Sequence, residues 1–443
     1  MCREDSHHVE SPLRANESSF LLSRDGLFDG AAGLRWRRPS FDLARRARRP
    51  EEERSLSMHR DYDVIVAGAG IVGAAIAYGL AGQKKRVLML DGADTDFRAA
   101  KANFGLVWVQ GKGYAHPEYQ RLSLAAVNAW PEFADHLEAE SGIALDYQTG
   151  GGLQFCLSDE ELTARAKRLD AWHAQTPELP PTVRILDRRE MQRRYPTMRL
   201  GPDVAGASLG ELDGHVNPLR LLAALQAAFQ RRGGELRNGR PVTAIKALPG
   251  GGFEVQAVEQ AARAERVLVA AGLGSSALGR MIGLDVPLRP QRGQILVTER
   301  LAPLLPVPAS GLRQTAEGTV MIGVTQEEVG YDLSTTSAAA VRMARRALRI
   351  LPDLGKARLV RQWSCLRVMT PDGNPVYASS PQHPGAEIAT CHSGVTLASF
   401  HAGTYARAFA RGALPDTLGV FHHERFNVSK DQSPRHATAD AHH

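Results

Sequence analysis

Cysteine is scarce in this chain of 443 residues, which contains only four. The four cysteines form no CxxC pair and no spacing typical of a zinc site, so the sequence argues against a disulfide framework and for a reducing compartment. No catalytic triad and no cluster of metal ligands is visible, and we predict no metal. An apolar secretory segment is also lacking. We therefore predict a cytoplasmic protein, with peripheral attachment to the inner membrane as the alternative.

Charge of one sign is not concentrated anywhere in the main part of the chain. The net charge of +6 is modest for this length, and the basic residues form no stripe interleaved with aromatic residues. This pattern argues against nucleic-acid binding, whereas a small anionic substrate suits the basic balance. A hydrophobic fraction of 43% supports a sizeable core, and the length fits two or three domains or one two-lobed enzyme.

Residues 1–57 differ from the rest because they contain eleven Arg, no Lys and ten acidic residues. They have little apolar periodicity, and the acidic residues argue against a transit peptide. We interpret the segment as a disordered extension, or as upstream sequence translated in error before Met58. Its arginine-rich part could bind an acidic surface, but we expect its deletion to leave activity intact.

A long uncharged run spans residues 64–82, nineteen residues in all. Its length would suffice for a transmembrane helix, but five of its residues are glycine and its first five favour a strand. Because lipid-facing backbone must be satisfied within one continuous element, we predict a strand, a turn and a helix instead of a membrane span.

Within this run, Gly68, Gly70 and Gly73 form a G-x-G-x-x-G motif, and Asp91 follows eighteen residues after Gly73. In a strand–turn–helix context, the first glycine allows a tight turn, the second allows close approach to a pyrophosphate, and the third allows the helix to pack on the strand. The helix N-terminus presents unpaired N–H groups to phosphates, and Asp91 can accept hydrogen bonds from a ribose. The spacing therefore predicts a dinucleotide site. The alternative interpretation of each glycine, taken singly, is a tight turn that binds no ligand.

Nucleotide-type βα units recur near residues 267 and 388, with antiparallel strands between them. This order predicts an α/β, two-lobed fold in which a discontinuous Rossmann-like domain carries an inserted antiparallel-sheet domain. We assign residues 58–110, 207–285 and 357–425 to the dinucleotide domain. We assign 111–206 and 286–356 to a substrate domain and 426–443 to a tail.

Several motifs, in order, resemble the FAD-dependent D-amino acid oxidase superfamily over about residues 60–425. They are VIVAGAGIVG, GHVNPLRLLAAL, VLVAAGLGSSAL, PQRGQI, VMIGVTQEEVGYD, WSCLRVMTPDGNP and CHSGVTLASFHAG. The combination of ANFGLVWVQGKG with LRVMTPDGNP looks most like the FAD subunit of opine (octopine or nopaline) oxidases and D-hydroxyproline dehydrogenases. The resemblance implies an FAD-dependent flavoprotein oxidoreductase.

The resemblance also implies which residues meet FAD. In chain order, the cofactor-binding set is Gly68, Gly70, Ile71, Val72, Gly73, Asp91, Ala99, Ala100, Asn103, Phe104, Gly105, Val242, Ala271, Gly272, Gly394, Val395, Thr396 and Leu397. Relatives often have Glu in place of Asp91 and a hydroxyl residue near Ala99 and Ala100. The turn that begins at His392 would aim N–H groups at the flavin edge where negative charge gathers on reduction.

Arg367 is the main substrate candidate that the resemblance implies, because a guanidinium fits a carboxylate bidentately. A surface arginine paired with Asp372 is the alternative. Cys365 stands where sarcosine oxidases attach flavin covalently. We interpret it as a core cysteine and expect non-covalent FAD.

The remaining candidates for the pocket are weaker, because a lone histidine or aromatic residue is more often packing than catalysis. They are His392, His215, Tyr331, Trp108, Gln294 and His401. Lys112 could meet a second carboxylate of an opine-like substrate, and a solvated lysine is the default interpretation.

The predicted activity is oxidation of the C–N bond of an amino acid or secondary amine by hydride transfer to flavin N5, giving an imine that hydrolyses. D-amino acids, D-hydroxyproline and opine-like compounds are the candidate substrates. Two alternatives stay open at this point. The chain could be a flavin-bearing electron-relay subunit of a hetero-oligomeric dehydrogenase, or an NAD-dependent dehydrogenase. Partner subunits or an electron carrier are possible partners.

Overall fold

A computed structural model describes residues 61–92 and 98–427 of the chain. The interpretations of residues 1–57 and of the tail from residue 428 onward lie outside the described residues. Within the described ranges, no helix is both long enough and apolar enough to cross a membrane. Residues 64–82, which the sequence offered as a possible span, are divided between a strand and a 12-residue helix.

The strands follow one another along the whole described chain. They are β1 (Tyr62–Ala67), β2 (Val87–Leu90), β3 (Leu106–Val107), β4 (Gly152–Cys156), β5 (Val183–Asp187), β6 (Gly206–Gly210), β7 (Gly214–His215), β8 (Glu235–Arg237), β9 (Val242–Ala247), β10 (Phe253–Ala257), β11 (Gln260–Val269), β12 (Arg289–Arg300), β13 (Leu312–Gln314), β14 (Thr319–Gly323), β15 (Leu359–Met369), β16 (Val376–Ser379) and β17 (Ala386–Thr390).

The helices are α1 (Ile71–Gly82), α2 (Ala99–Ala102), α3 (Pro117–Asn128), α4 (Trp130–Ser141), α5 (Asp159–Ala174), α6 (Arg188–Arg194), α7 (Pro218–Arg231), α8 (Ser275–Met281), α9 (Ser337–Ile350), α10 (Ala398–Phe400) and α11 (Ala406–Arg411). A π-helical turn, His401–Tyr405, joins α10 to α11. Short 3-10 helices occupy Gly272–Gly274, Pro352–Lys356, Asp416–Phe421 and His423–Phe426.

The largest sheet has the order β16-β17-β11-β1-β2-β8, and β10 and β9 extend from β11. Its centre is parallel, since β1 pairs in parallel with both β11 and β2, and β11 pairs in parallel with β17. All residues of β2 and β17 are buried, as expected for parallel strands covered on both faces. The carboxyl ends of β1, β11 and β17 meet at one edge, where ligands of open α/β sheets bind.

The second group of strands is antiparallel. One sheet has the order β13-β14-β12-β15, and a smaller one has the order β4-β6-β5. All of β15 and all but the first residue of β6 fall in ranges that the sequence assigned to the dinucleotide domain, but both strands pair with strands of the antiparallel group. The pairing therefore places those two strands differently from the expectation, and the division into domains stays a prediction.

Residues 117–141 form two successive helices, α3 and α4. Pro131 lies at the start of α4 and lacks a backbone N–H, so one helix cannot continue through it. Trp130 at the break is fully buried, and its ring nitrogen donates a hydrogen bond to the carbonyl of Thr396, 2.8 Å away. The break thus ties the helices to the turn that follows β17.

Candidate active site

Two adjoining cavities lie at the carboxyl edge of the parallel strands. The arginine cavity, of about 230 Å³, is lined by Arg367, Lys112 and His392 among others. The aspartate cavity, of about 610 Å³, is lined by Asp91 and Val242 among others. Gly70, Ala99, Ala100, Ala270, Gly272 and Val368 line both cavities. Because the walls are shared, one elongated ligand can occupy both cavities.

The glycine turn between β1 and α1 lies where the cavities join. Gly68 has a φ of +109°, and a Cβ there would stand 2.4 Å from the carbonyl oxygen of Ala270. A Cβ at Gly73 would stand 2.0 Å from the carbonyl oxygen of Gly68, so this glycine allows the helix to pack on the turn. At Gly70, a Cβ would meet only the side chain of Ala100, at 3.5 Å. The turn is therefore shaped by the first and third glycines, and the second faces open space.

Asp91 follows β2 and reaches the aspartate cavity. Its Oδ1 accepts hydrogen bonds from the backbone N–H of Gly92 at 2.9 Å and from the guanidinium of Arg98 at 2.8 Å. The carboxylate is thus held at the cavity wall together with Val242, Ala271 and Gly272.

The segment 99–105, which contains several of the predicted cofactor-binding residues, begins as the short helix α2. The amide of Asn103 donates to the carbonyls of Ala99 and Ala100 and accepts from the N–H of Gly105, at 2.9 to 3.1 Å. Asn103 therefore fixes the shape of the loop. Phe104 and Gly105, like Ile71 and Val72 at the start of α1, line the arginine cavity.

The turn after β17 supplies another wall of the arginine cavity. His392, Gly394, Val395 and Thr396 line it, whereas Leu397 is fully buried in the apolar core and does not. The expectation that Leu397 meets the cofactor is therefore not matched by its position. Trp108 also lines this cavity, and its backbone N–H donates to Thr396 Oγ1 at 3.2 Å.

Arg367 extends from β15 into the arginine cavity. Its Nη1 donates to the carbonyl oxygen of Arg292 at 3.3 Å, and no carboxylate of residues 61–92 or 98–427 forms an ion pair with it. Burial lowers the pKa of Arg367, although it stays a cation. The alternative pairing with Asp372 is wrong, because Asp372 forms an ion pair with Arg425 at 2.8 Å.

Arg292, on the paired strand β12, has the opposite environment. It is 5% exposed and forms ion pairs with Glu327, at 2.6 Å, and with Asp332. The two arginines are neighbours in one sheet, but only Arg292 is neutralised by carboxylates of the described residues. Of these two arginines, Arg367 is thus the one that remains for a ligand.

Lys112 is not the solvated lysine of the default interpretation. It lines the arginine cavity, and its Nζ donates to Ser393 Oγ at 2.5 Å. Tyr119 donates to the same oxygen at 3.0 Å. Burial lowers the pKa of Lys112 to about 8.

Two of the other predicted pocket residues are structural histidines outside the cavity. His215 is 2% exposed and contacts Gln148 at 3.0 Å and Arg313 at 3.2 Å through its two ring nitrogens. Burial lowers its pKa to about 3, so the ring stays neutral. His401 is fully buried in the π-helical turn and pairs with the hydroxyl of Tyr377 at 2.8 Å. Neither histidine can exchange a proton with a substrate there.

Gln294 and Tyr331 are also absent from the arginine cavity. Gln294 is fully buried and donates to Glu327 at 3.0 Å, so it supports the Arg292 ion pairs. Tyr331 is 70% exposed and borders the aspartate cavity. The expectation that Tyr331 acts in catalysis is therefore not supported by its position.

Sequence reasoning missed a buried polar network behind the loop that carries Lys112. Asp213 is fully buried and accepts from the N–H groups of Val109 and Gln110, at 2.6 and 3.3 Å. Burial raises the pKa of Asp213 to about 7. Arg165 donates to the side chain of Gln110 at 2.9 Å and completes the network. No local pattern distinguishes Asp213 from a surface acid, since its partners lie about a hundred residues away in sequence.

Comparison with known proteins identifies the family to which the chain belongs. The family described as "DAO: FAD dependent oxidoreductase" matches residues 63–408. The chain therefore belongs to this family, and it is an FAD-dependent oxidoreductase. The superfamily resemblance predicted from the sequence is confirmed, and an NAD-dependent dehydrogenase is set aside.

Individual relatives within and near this family can also be named. The chain is 42% identical over 370 residues to an opine oxidase subunit of Agrobacterium tumefaciens (strain Ach5), and the match covers 84% of this chain and 99% of the relative. An opine oxidase subunit of Rhizobium meliloti is 40% identical over 376 residues, and this match covers 84% of this chain and 99% of the relative. The structure of glycine oxidase from Geobacillus kaustophilus superposes with a TM-score of 0.74 at 24% identity, covering 82% of this chain and 98% of that one. This last likeness supports the fold.

The residues of the two cavities fit FAD. The start of α1, with no Cβ at Gly70, can take the pyrophosphate, because N–H groups at a helix N-terminus favour anions. Asp91 stands in the aspartate cavity, where we expect the adenosine, and the turn after β17 lines the arginine cavity, where we expect the flavin. The assignment of individual residues to FAD atoms stays a prediction.

Proposed function

We propose that this protein oxidises the C–N bond of an amino acid or secondary amine whose carboxylate is bound by Arg367. The observation that carries the proposal is a guanidinium that faces the arginine cavity without a carboxylate partner among the described residues. A planar fork of donors matches a carboxylate and fixes its orientation. The relatives named opine oxidase and glycine oxidase support this substrate class.

In the proposed reaction, the protein's own residues bind and orient the substrate and exclude water from the cavity. Bound FAD supplies the chemistry of accepting a hydride from the carbon next to the amine nitrogen. Arg367 anchors the carboxylate, so the same carbon is held in one place in each turnover. The apolar walls from Trp108, Phe104 and Ile295 keep the cavity dry and strengthen the ion pair. Neither buried histidine has a role.

The proposal is tested by anaerobic reduction of the FAD-loaded protein. D-proline derivatives, opines, glycine and sarcosine are mixed with the protein, and loss of the visible flavin band is followed. We expect bleaching by at least one amine that carries a carboxylate. Arg367→Leu should lower kcat/KM about a hundredfold or more, mainly through KM, because a bidentate charge-assisted contact is lost.

Arg367→Lys, which keeps the charge without the fork, should recover part of the loss. Arg361→Leu removes an exposed arginine from the same strand and serves as the matched control. An Arg367→Leu protein with the kinetics of the wild type would refute the anchor.

We further propose that the chain works with partner subunits. Two of its relatives are named as subunits of opine oxidase. Co-purification of a tagged chain from its native host tests this. A chain that reaches full turnover with a soluble electron acceptor alone would argue against a required partner and against a pure electron-relay role.

Non-covalent attachment of FAD also remains our expectation. Cys365 lines the arginine cavity and is 7% exposed, and burial raises the pKa of its thiol, which disfavours the thiolate. Flavin that stays bound to the protein after acid precipitation would overturn this expectation.

A further inference from the structure

The arginine cavity contains two cationic side chains that come from distant parts of the chain. Arg367 extends from β15, and Lys112 extends from the segment between β3 and α3. Of the residues that the structure describes, none provides a carboxylate that forms an ion pair with either cation. A desolvated cation is costly unless it is paired, so a cavity with two such groups favours a ligand with two negative charges.

Lys112 is held in place by its backbone. Its N–H donates to the carbonyl of Val109 at 2.9 Å, and its own carbonyl accepts from the ring nitrogen of Trp172 at 2.6 Å. The N–H of Val109 is in turn bound by Asp213 at 2.6 Å. Trp172 is 1% exposed and Asp213 is fully buried, so the support is rigid. The lysine is thus presented to the cavity in advance of any ligand, as a binding site requires.

The ammonium group of Lys112 has more donors than its neighbours use. It has three N–H donors, and among the described residues only Ser393 accepts a hydrogen bond from it. The Ser393 oxygen also accepts from Tyr119 at 3.0 Å, so it is shared between two donors. The other two donors of the ammonium group are therefore available to an anion in the cavity.

We propose that Lys112 binds a second carboxylate of the substrate, so that the substrate is a secondary amine with a carboxylate on each side of its nitrogen. The proposal rests on the proposed function, in which Arg367 binds the first carboxylate. With both ends anchored, the C–N bond between them has a single position. A protein that requires both contacts discriminates against amino acids with one carboxylate.

Binding of two unreactive analogues tests the proposal without turnover. Thiodiacetate has two carboxylates around a sulfur atom, and (methylthio)acetate replaces one of them with a methyl group. Calorimetry and the shift of the visible flavin band give the Kd of each analogue for the FAD-loaded protein. We expect the wild type to bind thiodiacetate about tenfold more tightly or better, as one charge-assisted contact implies.

Lys112→Met should abolish this preference and leave the Kd for (methylthio)acetate within about twofold, because only the second contact is lost. Lys112→Arg should keep most of the preference. Lys246→Met removes an exposed lysine on β9 and is the matched control. Melting temperature and FAD content confirm that each variant is folded.

Three results would overturn the proposal. The wild type could bind both analogues equally, Lys112→Met could weaken both equally, or it could leave the preference intact. A change in sulfite affinity of the flavin without a change in the preference would assign the lysine to the cofactor instead. Failure of the proposed function itself looks different, since no amine with a carboxylate would then bleach the flavin in the wild type, whatever the analogues do.

Discussion

Both cavities have many glycine and alanine residues in their walls, but the glycine turn borders the aspartate cavity, whereas the arginine cavity contains Arg367 and Lys112, two cations from distant parts of the chain. In the first, shape depends on the absence of Cβ atoms, as at Gly68 and Gly73. In the second, it depends on single side chains such as Arg367 and Lys112. The difference implies two kinds of failure: a substitution in the glycine turn disturbs the fold or all cofactor binding, and one among the charged side chains removes one contact.

The largest effect is expected at the glycine turn. Gly68→Ala should lower the free energy of unfolding by about 3 kcal/mol or more, because it adds a strained φ to a clash with backbone. The added Cβ would stand 2.4 Å from the Ala270 oxygen. Urea unfolding of the FAD-free protein measures the loss. Gly419→Ala, where a Cβ would meet nothing within 4 Å, is the control. Equal free energies of unfolding for Gly68→Ala and Gly419→Ala would contradict the role of the glycine turn in the fold.

Substitution of the two neighbouring arginines, Arg292 and Arg367, should affect the free energy of unfolding differently. Arg292→Leu leaves Glu327, which is 14% exposed, without its closest cation and should cost about 2 to 3 kcal/mol of unfolding free energy. Arg367→Leu removes a desolvated charge that has no carboxylate partner among the described residues, so stability should be unchanged or rise by about 1 kcal/mol. The same urea experiment compares them. Equal destabilisation by both substitutions would show that Arg367 is as important for the fold as Arg292.

Gly70→Ala separates cofactor binding from folding. The apoprotein should keep its melting temperature, since the new Cβ meets only the Ala100 side chain at an ordinary 3.5 Å. Its FAD affinity should fall about tenfold or more, because close approach of the pyrophosphate to backbone is lost. Fluorescence titration with FAD gives the affinity. An Ala variant with normal FAD binding would place the pyrophosphate elsewhere.

The smallest expected effect is a pH dependence in the arginine cavity. Burial lowers the pKa of Lys112 to about 8, so its charged form prevails below that pH and is lost above it. The preference for thiodiacetate should therefore decline as pH rises through about 8, with the midpoint shifted upward when the dianion is bound. Of the groups near it, Cys391 has a pKa raised to about 12 and stays neutral, and Asp213 has a pKa raised to about 7 and ionises earlier. A preference that is flat over this range would argue against a titrating lysine.

Local signals made the glycine turn predictable from the sequence, whereas most of the arginine cavity depended on distant contacts. Residues 62–91 form one continuous strand–turn–helix–strand unit, so their spacing alone predicts their geometry. Arg367 was predicted through the family resemblance and does face the cavity. His215 and His401 were misassigned because a histidine's burial depends on partners such as Arg313 and Tyr377, which no local pattern shows.

Lys112 shows the same limit at a single residue. Its sequence neighbours, Gly111 and Gly113, suggest an exposed loop. Its actual environment comes from Trp172, 60 residues later, and from Ser393, 281 residues later. Burial of this kind follows from tertiary packing, which overrides local composition. Pro131, by contrast, separates α3 from α4 for a purely local reason, because proline lacks a backbone N–H.

The pairing of β1 with β11, and of β11 with β17, joins segments that begin at residues 62, 260 and 386. During synthesis, the glycine turn therefore emerges long before β11 and β17, the strands that complete this edge of the sheet. Such non-local pairing slows folding and leaves a partly exposed sheet for most of translation. Because a ligand that binds only the folded state stabilises it, we expect growth with little riboflavin to lower the yield of folded protein more than its rate of synthesis.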